Sequence, residues 1–127
     1  MARSQPRPTD AELAILGVLW TRGASTVRQV HEALADTRDT GYTTTLKLMQ
    51  IMAEKGLVKR NETARTHVYS AVAGEEQTQH QLVKDLVDRA FGGSAAQLVL
   101  RALSAEGASD AEVKEIRKLI DDYREKR

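Results

Sequence analysis

Four times in this chain a Ser or Thr stands three residues ahead of a Glu or Gln, just before an apolar-periodic stretch: Thr9 with Glu12, Thr26 with Gln29, Ser94 with Gln97, and Ser109 with Glu112. In such a capping box the hydroxyl accepts from the backbone amide at the third helical position, and the carboxyl or carboxamide reaches back to the cap's own amide. Two otherwise orphaned donors are satisfied, so each box fixes a helix start. Four fixed starts in 127 residues commit most of the chain to short helices with brief connections.

After the first box, Leu13, Leu16, Gly17 and Trp20 recur at i, i+3, i+4 and i+7, which predicts a helix over about 10–22 with that stripe buried and Gly23 just past its end. The second box precedes Val27, Val30, His31 and Leu34 and predicts a shorter helix to about Ala35. A polar loop, 36–41, leads to a third helix over 42–55, with Thr45, Leu48, Met49 and Met52 facing inward and Gly56 closing it. The period then becomes strand-like. Leu57 to Arg60 and the β-branched stretch Thr66 to Val72, on either side of a polar turn, predict a hairpin that needs a helical layer to pack on.

Beyond Gly74 the pattern is purely helical. Leu82, Val83, Leu86, Val87 and Phe91 form one stripe, Gly92 and Gly93 interrupt it, Leu98, Val99 and Ala102 form the next, and Ile116, Leu119 and Ile120 the last. Fifty-four residues with so few large apolar side chains enclose little core alone, and without cysteines there is no disulfide to compensate. These residues are therefore expected to form a homodimer interface. The predicted fold is mostly α with a small β-hairpin. A flexible arm (1–8) precedes an N-terminal winged helix-turn-helix (9–73), followed by a C-terminal three-helix dimerisation domain (74–127).

Composition narrows function chiefly by exclusion. The absence of cysteine removes thiolate metal sites and cysteine nucleophiles. His31, His67 and His80 fall on three different elements, and Gly92-Gly93-Ser94 lacks the lysine of a phosphate-binding loop, so neither an enzyme nor a metal or cofactor site is expected. No apolar run approaches the roughly 20 residues of a membrane span, and a cytoplasmic protein without membrane insertion is expected. Nineteen Lys and Arg against eighteen Asp and Glu leave a formal charge of only +1. That charge is unevenly distributed, net +3 over residues 1–73 and net −2 over 74–127, which leaves the helix-turn-helix half the one suited to phosphates.

With the apolar face of the third helix turned inward, Thr43, Thr44, Lys47 and Gln50 face outward, where a recognition helix meets base edges. Threonine serves a base edge or a thymine methyl, glutamine adenine, and lysine guanine or phosphate. Ile51, between the two faces, is expected to be partly buried. Lys59, Arg60 and Arg65, with His67 close by, equip the hairpin to lie along a sugar-phosphate backbone. Arg28, Arg38 and the free amides of the helix beginning at Thr26 are further phosphate candidates. A protein-interaction adaptor is the competing reading, because a winged helix does not by itself fix function.

The runs ELAILGVLW (12–20), TVRQVHEAL (26–34) and YTTTLKLMQIMAEKGLV (42–58), the wing ending His67-Val68-Tyr69, and Phe91-Gly92-Gly93-Ser94 before Leu98-Val99 together resemble the penicillinase-repressor family, BlaI/MecI. The resemblance implies a homodimeric transcriptional repressor on a pseudo-palindromic double-stranded DNA operator, in the setting of β-lactam resistance or related operons. It places recognition contacts on Thr43, Thr44 and Lys47 and a wing contribution on 60–67. It also implies induction through a membrane-bound sensor protease that leads to cleavage of the dimerisation domain. Two positions depart from the family pattern: Ile51 stands where an arginine is frequent, and Arg101-Ala102 where well-known members have the cleaved Asn-Phe bond. The cysteine ligands of copper-responsive relatives have no counterpart here.

Overall fold

The structure, a computed structural model, describes residues 7–63 and 65–126. Of the arm expected at 1–8, residues 1–6 lie outside the described residues. The elements run α1 (Asp10–Arg22), α2 (Val27–Leu34), α3 (Tyr42–Lys55), β1 (Val58–Asn61), β2 (Val68–Ala71), α4 (Glu75–Ala90), α5 (Ala95–Glu106) and α6 (Asp110–Glu125). Two compact units divide the chain, one running through Leu82 and the other beginning at Val83, so the division falls within α4. None of the helices, among the described residues, is long and apolar enough to cross a membrane.

The capping residues start the helices where the spacing predicts. Thr9 and Thr26 accept from the amides of Glu12 and Gln29, whose side chains accept from the Thr9 and Thr26 amides, all at 2.9 to 3.2 Å. Ser94 and Ser109 accept from the amides of Gln97 and Glu112 at 3.2 Å. Among the described residues, the return bond is made only in the first two boxes. The start of α3 at Gly41 carries no side-chain cap. It ends at Gly56, whose left-handed backbone (φ 83°) lets the chain reverse directly into β1.

In the first unit, α1, α2 and α3 close around Ile15, Leu16, Leu19, Val27, Val30, Met49 and Met52, with Leu57, Val58 and Tyr69 sealing the side toward the sheet. Both strands are shorter than the expected Leu57–Arg60 and Thr66–Val72 stretches suggest: Val58 pairs with Ala71 and Asn61 with Val68, so Thr66 and His67 belong to the wing loop. Ser25 adds a bridge that alternation cannot reveal. Its amide donates to the Tyr69 carbonyl at 2.9 Å, and the Tyr69 amide donates to the Ser25 carbonyl at 2.8 Å. This exchange ties the turn between α1 and α2 to the hairpin and makes the wing part of the domain.

The inward face of α1 also differs from the expected Leu13, Leu16, Gly17 and Trp20 stripe. Its buried residues are Glu12, Ile15, Leu16 and Leu19, whereas Leu13, Gly17 and Trp20 are half-buried at the margin. The physical reason is polar. Trp20 stays at the edge, where its indole N–H donates to the Ala73 carbonyl at 3.0 Å. Glu12 turns inward to meet the Lys55 ammonium, which donates to both carboxylate oxygens at 3.0 and 2.9 Å.

Burial alone would raise the Glu12 carboxyl, but the Lys55 hydrogen bond, the Thr9 amide and the attraction of the ammonium outweigh it and hold the group below its ordinary value of 4.5. A depressed native value means that the pair's stabilisation is fully present above about pH 4.5 and is lost as pH falls through the lower native value. Glu12→Gln is expected to cost about 2 kcal/mol at neutral pH and to flatten the acid limb of stability. Urea midpoints from pH 7 to pH 3, followed by Trp20 fluorescence, check both; an acid limb parallel to that of the unaltered protein would show that the pair is not the acid-labile element.

Candidate nucleic-acid interface

The third helix carries two faces of opposite character. Thr45, Met49 and Met52 are buried, Leu48 and Ile51 are half-buried, and Thr43, Thr44, Lys47 and Gln50 are exposed. The inward residues fix the helix to α1 and α2, so the outward four are presented on a rigid support. At 100° per residue, Thr43, Lys47 and Gln50 lie within one narrow sector, with Thr44 and Ile51 flanking it. The partial burial of Ile51 agrees with its boundary position.

Beside this face lies a groove of about 700 Å³, bounded by the start of α2, by Tyr42, Leu46 and Gln50 along α3, and by Arg60, Arg65, Thr66 and His67 of the wing. The structure thus brings Arg28, Gln50, Arg60, Arg65 and His67 to one concavity. Lys59 borders a different concavity with Ser70, as alternation along β1 requires, so Lys59 and Arg60 do not act as one cluster. Arg38 is half-buried in the loop before α3 and is not among the groove residues.

Sequence pattern misses one member of this region. Tyr42, at the first position of α3, is 43% exposed. The Arg28 guanidinium carbon sits 5.8 Å from its ring centroid, and the His31 ring meets it edge-on at 5.9 Å and 84°. Cation–π and edge-to-face contacts hold these three side chains in mutual register across α2 and α3. An aromatic residue at a helix start gives no periodic signal; only the neighbouring helix reveals its role.

The amino-terminus of α2 offers an anion less than the sequence suggests. The amides of Thr26 and Gln29 are already engaged by the reciprocal capping box. On the wing, Arg60 is paired with Glu62. Contact with the Tyr69 hydroxyl first, and attraction to the Glu62 carboxylate second, push its guanidinium up from its ordinary value. The three histidines lie on α2, the wing loop and α4, and no group of three or more metal-ligating side chains occurs among the described residues.

Three helices followed by a hairpin, with the third helix polar outside and apolar inside, define a winged helix-turn-helix protein. The penicillinase repressor family model matches residues 8–122, and the chain belongs to that family of winged-helix transcriptional regulators, which are not enzymes. It is 36% identical over 105 residues to the transcriptional regulator BlaI of Mycobacterium tuberculosis, spanning 81% of this chain and 76% of that one. With the penicillinase repressor of Staphylococcus aureus it shares 21% identity over 126 residues, 99% of this chain and 100% of that protein. The solved DNA-binding domain of the repressor BlaI superposes with a TM-score of 0.51 at 23% identity, covering 58% of this chain and 90% of that domain. The Bacillus licheniformis BlaI monomeric form in complex with the blaP half-operator gives the same score, covering 59% and 92%.

The Arg60–Glu62 pair has a measurable consequence. Glu62→Gln removes a carboxylate from the wing and frees Arg60. It is expected to tighten binding to any DNA duplex and to steepen the dependence of log affinity on log salt by about 0.9, the increment of one phosphate contact. Titration of a labelled duplex at several salt concentrations checks this.

Proposed function

We propose that the protein is a homodimeric, sequence-specific repressor that sets two α3 helices into successive major grooves of a pseudo-palindromic operator of a β-lactam-resistance-type or related operon. The observation that carries the DNA-binding half of this reading is the α3 face itself: Thr43, Thr44, Lys47 and Gln50 stand exposed on a helix locked from behind by Thr45, Met49 and Met52. Those side chains match base-edge donors and acceptors. A relative of the same fold is a BlaI monomeric form in complex with a half-operator, which favours one half-site per winged helix. Lys59, Arg60, Arg65 and His67 of the wing, with Arg28 on α2 and Arg38 after it, supply contacts that carry no sequence information.

The dimer half rests on the second unit. From Val83 onward no described residue is buried. Val83, Leu86, Val99, Leu100, Leu119, Ile120 and Tyr123 are between 40% and 65% exposed, and Leu82, Val87, Phe91, Leu98 and Ile116 are half-buried. Apolar stripes on three successive helices with no core between them call for a second copy, which also makes operator binding bivalent. We assign the interface to Leu82, Val83, Leu86, Val87, Phe91, Leu98, Val99, Ala102, Ile116, Leu119 and Ile120, with Leu100 and Tyr123 added by their exposure. The domains implied are a winged helix over 9–73 and a dimerisation domain over 74–127, both acting in the cytoplasm. Should induction run through a sensor protease cutting at Arg101-Ala102, the bond lies inside α5, so cleavage needs that helix to open.

Selection of bound duplexes from a random pool tests the whole reading: a two-fold symmetric site with half-site centres about 34 Å apart, or a multiple, is expected. Lys47→Ala is expected to cost about 1 to 3 kcal/mol on the selected site and to relax base choice at one position per half-site. Leu86→Asp is expected to yield monomers by light scattering, with operator affinity lowered to that of a single half-site. A pool that returns no enriched sequence would overturn the repressor reading, and a stable Leu86→Asp dimer would move the interface elsewhere.

A further inference from the structure

The groove between α2, α3 and the wing is unusual in its charge. Arg28 comes from α2, Arg60 from β1, and Arg65 and His67 from the wing loop, while no Asp or Glu lines it. The two neighbouring concavities, which share Arg60 with it, each contain Glu62. Guanidinium groups from three separate elements repel one another unless an anion lies between them, and a carboxylate would be the ordinary internal answer. Here the carboxylate is found outside the groove and the space inside is left open.

The guanidinium of Arg28 is also placed rather than free. Its position over the Tyr42 ring, itself braced by His31, limits the side-chain freedom that an exposed arginine would otherwise lose on binding. Gln50 marks the geometry. It lines the groove with Tyr42 and Leu46 at intervals of four residues, yet it is also the edge of the exposed sector that contains Thr43 and Lys47. A polyanion in the groove therefore runs alongside α3, adjacent to the face presented to bases.

Resting on the DNA-binding reading above, we propose that this groove seats the phosphates of one DNA strand, with Arg28 and Arg65 as the clamping cations and Tyr42 as the residue that positions Arg28. The strand enters between the start of α2 and the wing. These contacts fix the register of α3 on the duplex and carry affinity without sequence choice.

Arg28→Ala is expected to reduce the slope of log affinity against log salt by about 0.9, and Arg28→Ala with Arg65→Ala by about 1.8, on operator and unrelated duplex alike. The preference ratio between the two duplexes stays unchanged, unlike that of Lys47→Ala. Tyr42→Leu, which removes the ring but no charge, is expected to weaken both duplexes several-fold at an unchanged ratio. Gln29→Glu gives an independent test. It keeps the capping box, since Glu serves that position in α1, and places a carboxylate in the groove. About a tenfold loss on every duplex is expected, against no loss for Thr21→Glu, whose side chain is exposed on α1 away from the groove residues.

Unaltered slopes in the arginine variants, or full affinity in Gln29→Glu, in a protein that still selects an operator would overturn the groove proposal and leave the repressor reading standing. Failure of the unaltered protein to bind any duplex would overturn both. Inorganic phosphate at millimolar concentration, titrated against Trp20 fluorescence and the duplex, separates the remaining source. Saturable phosphate binding that is abolished by Arg28→Ala, with no change in duplex slope, would assign the groove to a free anion and reject the DNA strand.

Discussion

The contact between Glu12 and Lys55 joins the first turn of α1 to the last turn of α3, residues 43 positions apart in sequence. Glu12 is 2% exposed and would be costly there as an unpaired charge. The ammonium repays that cost while sitting at the negative end of the α3 dipole, and the Thr9 amide adds a further bond. Lys55 keeps 34% of its side chain in water, so the pair is only half desolvated and avoids the full penalty of a buried bridge. One carboxylate thus serves as helix cap and as the tether that sets where α3 lies. The outward face of α3 is only as well defined as that tether and the Met49–Met52 packing behind it.

Local rules made the helices legible. A capping box is a complete local device, needing nothing from the rest of the fold, and so α1, α2, α5 and α6 begin where their Ser and Thr residues stand. Hydrophobic spacing placed Thr45, Met49 and Met52 inside and Lys47 and Gln50 outside, because α3 packs on one side only. The misreadings all have a non-local cause. Spacing alone favours Leu13 and Trp20 over Glu12 for the core, since it cannot see a cation 43 residues away or a carbonyl 53 residues away. The second strand was read too long because β-branched Thr66 looks like strand until the register with β1 ends at Asn61.

Site residues divide along the same line. Those that belong to one periodic face, such as Thr43 and Lys47, are visible from spacing. Those whose role comes from convergence, such as Tyr42 with Arg28 and His31, appear only once α2 and α3 are side by side. The wing illustrates the difference between composition and placement: three cations close in sequence are separated by strand alternation and by the Glu62 partner of Arg60 into groups that face different surroundings.

The helical unit beyond Val83 holds no buried side chain of its own among the described residues. Its folding free energy is then a function of how much covering surface is available, which makes it second order in the chain when the cover is another copy. At low copy number the helices spend more time open and offer themselves to housekeeping proteases. At high copy number they are sheltered. Turnover in the cell then slows as the pool grows, so that a burst of synthesis persists and a dwindling supply is cleared ever faster.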